Sequence, residues 1–435
     1  GKRKYCEHQE RNSRSRSTDG KVLERARSVG STMQKLMKSN FKKTTIGKIP
    51  NQWKAIKLED IISDFIVPMR DKPKKFEGNI PWCRIEDIEG KYLSGTKSNQ
   101  YVDENTIDEM KLKIHPKGTV ICSCSARLGV CAITTTDLIT NQTFIGLVPS
   151  EKVDKEFLYY IMTYSSERLQ RLSSGTTIAY LSRKEFEKFR IPYPPISEQQ
   201  KIASILSTWD KAIELKEKLI EQKKEQKKGL MQKLLTGEVR LPGFYEKWEK
   251  RQIGELITES KVIADEPDLN KRITVRLNLK GVQKREVTSV EKENVTTQYV
   301  RRAGQFIYGK QNLYKGAIGI VPEELDGFQS SSDIPSFDFN SDVDGLWFYY
   351  YFSRESFYSY LEVISTGTGS KRVNPKDLFR IKINVPPLDE QRQISKILLS
   401  QDQEIKLLEK ELKALKMQKK GLMQLLLTGK IRVKV

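Results

Sequence analysis

A chain of 435 residues with 37% hydrophobic content is long enough to form two or three domains with separate cores. It has no run of about 18 apolar residues, which excludes a transmembrane helix, and it lacks the apolar core of a secretory signal. The net charge of +21 is typical of a protein that binds a polyanion. Nearly half of this charge lies in residues 1–48, where 14 basic minus 4 acidic residues give +10.

The cysteines and histidines are few and predict neither a disulfide framework nor a zinc site. In the first third of the chain lie five cysteines, an odd number, and two histidines: Cys6, Cys83, Cys122, Cys124, Cys131, His8 and His115. Cys122 and Cys124 alternate along an apparent strand, so we interpret them as buried free thiols. No metal ligand is assigned, and this usage fits a reducing cytoplasm.

The first 48 residues fall into two segments. Residues 1–20 are polar, rich in Arg and Ser and without hydrophobic periodicity, which predicts a disordered basic leader with no assigned function. Residues 21–48 begin with an apolar helical face, and Met33–Leu36 has the same sequence as Met231–Leu234. This segment is predicted to be an N-terminal fragment of the repeat described below, docked beside the end of the C-terminal helix.

Two globular regions, 49–194 and 241–386, show the same order of predicted elements. Each opens with a segment containing proline and tryptophan, continues with short strands that follow glycines, and then has an aromatic helix, at 157–162 or 347–352. A glycine-containing loop and an apolar strand follow, before a Pro-Pro pair. Because the frames agree while the loop sequences differ, we predict two α/β domains of one fold with different surfaces. We call them the first and second domains.

Each domain is followed by a copy of one long segment, Pro195–Gly237 and Pro387–Gly429, within the helical regions 195–240 and 387–435. Matched landmarks, such as Gln199 and Gln391, are 192 residues apart throughout, without insertion or deletion. Leucine, glutamate, lysine and glutamine dominate both copies, which predicts in each a helix of about 40 residues and roughly 60 Å. The constant length indicates that length itself matters.

Both helices have predicted ends and a heptad seam. Ser197 and Asp389 are suited to be N-caps, and Gly237 and Gly429 are expected to stop the helices. Apolar residues recur at alternating spacings of three and four, as in a coiled coil. The residues predicted to pack between the helices are Ile202, Leu206, Trp209, Ile213, Ile220, Leu234, Ile394, Leu398, Ile405, Leu412 and Leu426.

Three lysines interrupt the first seam: Lys216, Lys223 and Lys227. They would be unfavourable if this helix paired with a copy of itself, but tolerable against the more apolar second seam. We therefore predict that the two helices pack on each other within the chain. The alternative is two separate surface helices on a large core.

These features together resemble the specificity subunit of type I restriction-modification enzymes. The resemblance rests on the Pro-x-x-Glu-Gln segments Pro195–Gln199 and Pro387–Gln391, on the paired Lys-Lys-Gly-Leu-Met-Gln and Leu-Leu-Thr-Gly segments, and on the divergent frames between them. It covers nearly the whole chain from about Met33 onward. It implies an α+β fold in which two similar target-recognition domains are joined by two long antiparallel helices, an intramolecular coiled coil with pseudo-two-fold symmetry.

The resemblance also implies a function and partners. Each domain would read one half of a bipartite site in double-stranded DNA, and the helices would set the gap and dock two methyltransferase subunits that methylate adenine. Restriction and translocase subunits would complete the complex. S-adenosylmethionine, ATP and Mg would be bound by these partners, and no cofactor is expected in this chain. The leader at residues 1–20 departs from the family pattern.

No segment matches a catalytic motif, so no catalytic residue is assigned and the chain is predicted not to be an enzyme. The pairs Pro194–Pro195 and Pro386–Pro387 resemble the amino-group pocket of a methyltransferase only in their prolines, and they precede helices, where proline is favoured. The segment Gly367–Lys371 is too short for a phosphate-binding loop.

Loops that mix Arg, Lys, Asn, Gln and Thr are the candidate DNA contacts, because Arg reads guanine, Asn or Gln reads adenine, and others hold phosphates. In the first domain these are Arg70, Lys72, Lys74, Arg84, Arg127, Asn141, Gln142, Thr176, Thr177, Tyr180 and Arg183. In the second domain they are Arg272, Arg276, Lys284, Arg285, Lys310, Gln311, Asn312, Tyr314, Lys315, Ser370, Lys371 and Arg372. Individually, each is more often a solvated surface residue. The loops 175–183 and 367–372 are the strongest candidates because they occupy equivalent positions in the repeat.

Two other functions compete with this interpretation. A self-contained restriction-methylation enzyme would need cofactor or nuclease motifs, and a methylation assay on the isolated chain distinguishes it. A coiled-coil scaffold that binds nucleic acid without sequence specificity would show charge-dependent affinity and no preference between random and defined duplexes.

Overall fold

The computed structural model describes residues 41–125, 127–173, 180–287, 296–367 and 371–434. The chain forms two compact units. One contains the residues up to Glu214 and those from Lys413 onward, and the other contains Leu215–Leu412. Each unit thus holds one domain together with part of both long helices. Among the described helices, none is long and apolar enough to cross a membrane.

The first unit is built from short strands and short helices. Its strands are β1 (Phe41–Thr44), β2 (Gly47–Pro50), β3 (Lys54–Lys57), β4 (Ile62–Ile66), β5 (Ile80–Cys83), β6 (Tyr92–Leu93), β7 (Tyr101–Val102), β8 (Val120–Ser123), β9 (Cys131–Thr134), β10 (Ile139–Thr140), β11 (Phe144–Pro149) and β12 (Arg190–Tyr193). Its short helices are α1 (Glu104–Met110), α2 (Lys155–Tyr164), α3 (Ser166–Leu172) and α4 (Arg183–Lys188). The main sheet has the strand order β4-β11-β8-β9-β6, and further sheets are β10-β5-β7, β1-β2 and β12-β3.

The second unit repeats much of this arrangement. Its strands are β13 (Glu249–Gln252), β14 (Ile257–Ser260), β15 (Ile273–Val275), β16 (Val282–Lys284), β17 (Tyr299–Val300), β18 (Phe306–Tyr308), β19 (Ile318–Ile320), β20 (Gln329–Ser330), β21 (Ser336–Phe339) and β22 (Lys382–Val385). Its short helices are α6 (Gly345–Phe352), α7 (Glu355–Tyr360) and α8 (Pro375–Phe379). The main sheet has the order β14-β21-β18-β19 and is antiparallel throughout.

The core of each unit lies between the main sheet and the aromatic helix. The strands predicted to follow glycines are β8, β9, β18 and β19, and the predicted aromatic helices are α2 and α6, which confirms both predictions. In the second unit, the ring of Phe306 lies 5.1 Å from that of Phe348 and 5.0 Å from that of Phe352. Burying a phenylalanine side chain stabilises a fold by roughly 2–3 kcal/mol, so these helices hold the sheets firmly.

The described cysteines are all buried free thiols, which confirms the prediction for Cys122 and Cys124: Cys83, Cys122, Cys124 and Cys131. Burial, reinforced by the charge of Asp87, raises the pKa of the Cys83 thiol to about 12. His115 is also a core residue, since its Nε2 lies 2.8 Å from Thr140 Oγ1 and burial lowers its pKa to about 4. The Cys83 thiol and the His115 imidazole therefore stay neutral at pH 7 and contribute to packing.

The two long helices are α5 (Ile196–Thr236) and α9 (Leu388–Leu427). Each begins one residue before its predicted N-cap, so Ser197 and Asp389 lie inside the first turn and the cap prediction is wrong. The reason is that the carbonyl groups of the preceding prolines already accept the first helical hydrogen bonds. Gly237 and Gly429 follow the helix ends as predicted, with φ of 76° and 69°, a region that favours glycine.

Within each unit, the parts of α5 and α9 contact each other in antiparallel orientation. Ion pairs in the second unit are Lys216–Glu411 (2.8 Å), Lys223–Glu404 (2.7 Å) and Lys227–Asp402 (2.6 Å). In the first unit, Lys419 pairs with Asp210. The lysines that interrupt the predicted seam thus have acidic partners on the other helix. The predicted α+β fold with two long antiparallel helices that pack on each other is confirmed.

The apolar seam residues belong partly to the domain cores. Those in the core of the first unit are Ile202, Leu206 and Leu426. Those in the core of the second unit are Leu234, Ile394 and Leu398. Others are buried or half-buried on the helices: Ile220, Ile405, Trp209, Ile213 and Leu412. The helices are therefore integral to both units.

Candidate nucleic-acid interface

One edge of the main sheet carries most candidate residues of the first domain. Strands β4 and β8 both run antiparallel to β11, so their last residues, Ile66 and Ser123, lie at the same edge as Phe144, the first residue of β11. Cys131, the first residue of β9, lies there too because it pairs with Cys122. The loops that leave these strand ends therefore meet. We call this the loop edge, and the matching edge of the second domain has the same name.

Four predicted residues converge at the loop edge of the first domain. Tyr180 forms a β-bridge with Ser125, which lies two positions before Arg127. Burial raises the pKa of Tyr180, and the positive charge of Arg70, an exposed residue of the loop after β4, opposes this rise. Arg183 donates to the carbonyl of Phe65 at 3.2 Å and its guanidinium lies 5.8 Å from the centre of that ring. Residues far apart in sequence thus lie at the same edge of the sheet, three of them cationic.

Asn141, Gln142 and Arg84 occupy a neighbouring part of the same edge. The backbone amide of Asn141 donates to the carbonyl of Cys83 at 3.3 Å, which places it beside Arg84. Arg84 is half-buried and donates to Gln100 Oε1 at 2.6 Å, whereas Gln142 is exposed. Gln142 is therefore the freer of the two for a contact with a base.

Lys72 and Lys74 are exposed on the loop that follows β4. The Nζ of Lys72 lies 5.3 Å from the centre of the Phe76 ring, an attractive cation–π arrangement. Both lysines extend the positive charge of the loop edge. Outside the described residues lie the candidates Thr176, Thr177 and Ser370.

The second domain presents candidates at the matching edge of its main sheet. The loop between the end of β18 and the start of β19 carries Lys310, Gln311, Asn312, Tyr314 and Lys315. All are half-buried except Lys315, which is exposed. The loop therefore combines the half-buried amide side chains of Gln311 and Asn312 with the exposed ammonium group of Lys315.

A second segment of this domain, containing Lys371 and Arg372, meets the same loop. The backbone amide of Val373 donates to the carbonyl of Lys310 at 2.9 Å, and the amide of Lys310 donates to the carbonyl of Asp333 at 2.9 Å. Arg372 lies 3.5 Å from a carboxylate oxygen of Asp333. These bonds hold both cationic segments side by side.

Of the four candidate cations on and beside hairpin β15–β16, Arg276 alone lies at this edge. The turn after Arg276 donates a backbone hydrogen bond to the carbonyl of Lys315 at 3.0 Å. Arg272, Lys284 and Arg285 lie at the other end of the hairpin, where the amide of Arg285 donates to the carbonyl of Arg272 at 2.8 Å. The four cations therefore form two separate groups, which their spacing in the sequence did not indicate.

The two domains match a known family. A family model described as type I restriction modification DNA specificity domain matches residues 50–224 and 245–417. The chain belongs to this family. Its two domains are DNA specificity domains.

Similar proteins are described as specificity subunits of type I restriction enzymes. The putative type I restriction enzyme MjaX specificity subunit of Methanocaldococcus jannaschii is 29% identical over 440 residues, covering 92% of this chain and 99% of that protein. The MjaIX specificity subunit of the same organism is 36% identical over 185 residues, 41% of this chain and 43% of that protein.

Solved structures share the fold. The S subunit of a type I restriction-modification system from M. genitalium has a TM-score of 0.51 at 16% identity, covering 86% of this chain and 96% of that chain. A chain from a structural study of complex assembly and conformational transition of the type I restriction-modification system has a TM-score of 0.55 at 18% identity. The match covers 88% of this chain and 99% of that chain.

Sequence reasoning missed a polar cluster at the start of each long helix. Glu390 is fully buried and accepts from Trp248 Nε1 at 2.9 Å and from Arg240 Nε and Nη2 at 2.8 Å each. Glu198 accepts in the same way from Trp53 at 3.0 Å and from Arg432 at 2.5 and 2.7 Å. We call these the helix-end clamps. The signal that could have found them is that the two arginines, like the two glutamates, are 192 residues apart.

A second repeated cluster ties each aromatic helix to both long helices. In the first unit, Tyr160 donates to Asp210, which pairs with Lys419. In the second, Tyr350 donates to Asp402 at 2.7 Å, and the same aspartate holds the lysine of α5 described above. The two aspartates are again 192 residues apart.

Arg301 is a buried cation beneath the loop edge of the second domain. It is 1% exposed, and its guanidinium donates to Ser330 Oγ at 2.6 Å, to Ser336 Oγ at 3.0 Å and to the carbonyl of Ser260 at 3.1 Å. Burial lowers its pKa to about 10. Ser260 is the last residue of β14 and Ser336 is the first residue of β21, so the buried guanidinium connects two strand ends at the loop edge. In the sequence it is indistinguishable from its exposed neighbour, Arg302.

Replacing Arg127 by alanine should weaken binding to the recognised duplex by roughly 10- to 100-fold, equivalent to about 1–3 kcal/mol for a lost arginine contact. The matched control is Lys117→Ala, because Lys117 is an exposed cation just before β8, at the opposite edge of the same sheet. Fluorescence anisotropy with a labelled duplex measures both. Equal losses in the two variants would contradict a contact surface at the loop edge.

Proposed function

We propose that each loop edge reads one half of a bipartite site in double-stranded DNA, and that the chain acts as a non-catalytic recognition subunit. The observation that carries this proposal is that both domains place cationic and amide side chains at the same edge of the same kind of sheet. The edges differ in sequence: Arg127, Gln142 and Arg183 in one, Asn312, Lys315 and Arg372 in the other. Similar frames with different contact groups suit two different half-sequences.

The chemistry of these edges fits the major groove. Exposed arginine can bind guanine with two hydrogen bonds, glutamine or asparagine can bind adenine, and lysine holds phosphates without reading sequence. Gln142 and Arg127 supply the first two kinds of group in the first domain. The second domain supplies Asn312 and Arg372, with Lys315 at the rim.

The paired helices are proposed to set the gap between the half-sites. The helix-end clamps and cross-helix ion pairs hold each domain to both helices, so helix length is transmitted to the domains. Two methyltransferase subunits would dock on these helices and methylate adenine. They would bind S-adenosylmethionine, and restriction and translocase subunits would use ATP and Mg.

An exchange of the first domain tests the proposal. Residues 49–194 are replaced by the corresponding domain of a relative, and methylated adenines are mapped after co-expression with the methyltransferase subunits. The expected result is a change in one half-sequence while the other half-sequence and the gap stay the same. The reciprocal exchange of 241–386 is the control and should change the other half. A change in both half-sequences, or binding without any sequence preference, would contradict the proposal; the second outcome would favour a nonspecific scaffold.

A further inference from the structure

Each unit has a cationic cleft at an equivalent position, apart from the loop-edge residues. In the first unit, a cleft of about 480 Å³ lies between α3, α4 and the start of β12. Its cations are Arg168, Arg171, Lys188 and Arg190. In the second unit, a cleft of about 520 Å³ lies against α7 and the start of β22. Its cations are Lys250, Arg354 and Lys382.

The equivalence is positional as well as chemical. Arg190 and Lys382, the first residues of β12 and β22, are 192 residues apart, and both line their cleft. The first cleft contains one carboxylate, that of Glu185, against four cations, and the second contains none among its lining residues. A repeated concentration of positive charge indicates a ligand that is negative and that is bound once per domain.

One arginine in each cleft is held in place by an aromatic ring. The Arg168 guanidinium lies 4.6 Å from the centre of the Phe189 ring and donates to the carbonyl of Arg190 at 2.9 Å. The Arg354 guanidinium lies 4.0 Å from the centre of the Tyr351 ring. Within the described ranges, neither arginine has a carboxylate at ion-pair distance. Such an arginine keeps unused donors and loses little side-chain entropy when it binds an anion.

The clefts continue the surfaces that carry the DNA candidates. In the first unit, Gln170 of α3 donates to the carbonyl of Leu128 in the loop between β8 and β9 at 3.3 Å, and Arg183, the first residue of α4, donates to the carbonyl of Phe65. In the second unit, the Tyr358 side chain of α7 lies beside Gly316, the residue that follows Lys315 in the loop between β18 and β19. A duplex lying on a loop edge would therefore have its backbone beside the cleft of the same unit.

We propose that each cleft binds a phosphate of the DNA backbone flanking one half-site, a contact independent of sequence. This inference rests on the proposed function and adds a site to it. A polyanion is favoured over a single protein carboxylate because several cations surround each cleft, and phosphate binding by each of them releases a counterion. The clefts thus add affinity at both half-sites, and the loop edges add the discrimination.

The test neutralises exposed cations of the first cleft. Arg171 and Lys188 are both exposed, so Arg171→Gln with Lys188→Gln leaves the core intact. The control, Lys113→Gln with Lys117→Gln, removes the same charge from exposed residues that precede β8. The full-length variants are titrated by fluorescence anisotropy between 50 and 200 mM salt, with a 40-base-pair random duplex and with one containing the mapped site.

The cleft variant should bind both duplexes roughly tenfold more weakly at 0.1 M salt, and the slope of log K against log salt should fall by about 1–2. In the control variant, the slope of log K against log salt should change by less than about half as much as in the cleft variant. An unchanged slope, an equal change in the control, or a loss confined to the specific duplex would overturn the proposal. Weaker assembly with the methyltransferase subunit at an unchanged slope would also overturn it, in favour of a protein contact.

The proposed function fails separately from this inference. If the unaltered chain showed no preference for the mapped site, half-site reading would be wrong. The slope on the random duplex would still report whether the clefts bind phosphate.

Discussion

Replacing Glu390 by glutamine is expected to destabilise the second unit by roughly 3 kcal/mol, the low end of the cost of breaking a buried ion pair. Glu390 is fully buried and accepts from both Arg240 and Trp248. A glutamine of the same shape has no charge and directs an N–H group at a donor, so one hydrogen-bonding group stays unsatisfied. Because the Arg240 side chain is 29% exposed, water can solvate its guanidinium in the variant and so reduces the loss of stability.

Urea unfolding followed by tryptophan fluorescence measures this change, since Trp248 itself contacts the altered side chain. The matched control is Asp389→Asn, which neutralises the neighbouring carboxylate. That side chain is 82% exposed, so its loss should change the free energy of unfolding by less than about 0.5 kcal/mol. Similar values for both variants would show that the clamp does not hold the helix ends. Glu198→Gln should reproduce the effect in the first unit.

Lengthening both long helices by one heptad is expected to widen the gap in the recognised site and leave both half-sequences unchanged. Seven residues add about 10 Å of helix, equivalent to about three base pairs at roughly 3.4 Å each. The insertions belong after Glu214 and after Leu412, because the ion pairs Lys216–Glu411 and Asp210–Lys419 lie on either side of these points. Both sets of pairs then keep their partners.

Mapping methylated adenines in cells that express the methyltransferase subunits measures the gap. A heptad after Glu214 alone is the control: it gives α5 seven residues that have no counterpart in α9 and should abolish methylation or reduce it strongly. If the doubly lengthened chain methylated sites with the original gap, the helices would not act as a spacer.

Much of the fold could be predicted because hydrophobic periodicity and repetition are local properties of a sequence. The 192-residue spacing between Gln199 and Gln391 located both long helices, and the positions of Gly237 and Gly429 gave their ends. The N-caps predicted at Ser197 and Asp389 were wrong, because the backbone carbonyl of the proline two positions earlier accepts the first helical hydrogen bond. A cap prediction based on side-chain type does not detect that backbone bond.

Less of the candidate interface could be predicted, because composition marks a loop as cationic without saying what lies beside it. Arg276 and Arg272 are four residues apart in sequence, yet only Arg276 joins the loop edge. Three lysines seemed to interrupt the heptad seam of α5 because their acidic partners on α9 lie roughly 175–195 residues away in the sequence: Lys216, Lys223 and Lys227.

Two domains of one kind, two long helices and a basic charge balance could all be predicted from residue type and spacing. The folded chain was needed to show which cations share a surface, which carboxylates are buried in the helix-end clamps, and where the two cationic clefts lie. The physical reason is that strand pairing and antiparallel helix packing join residues distant in the chain, and charge, burial and hydrogen bonding act through space.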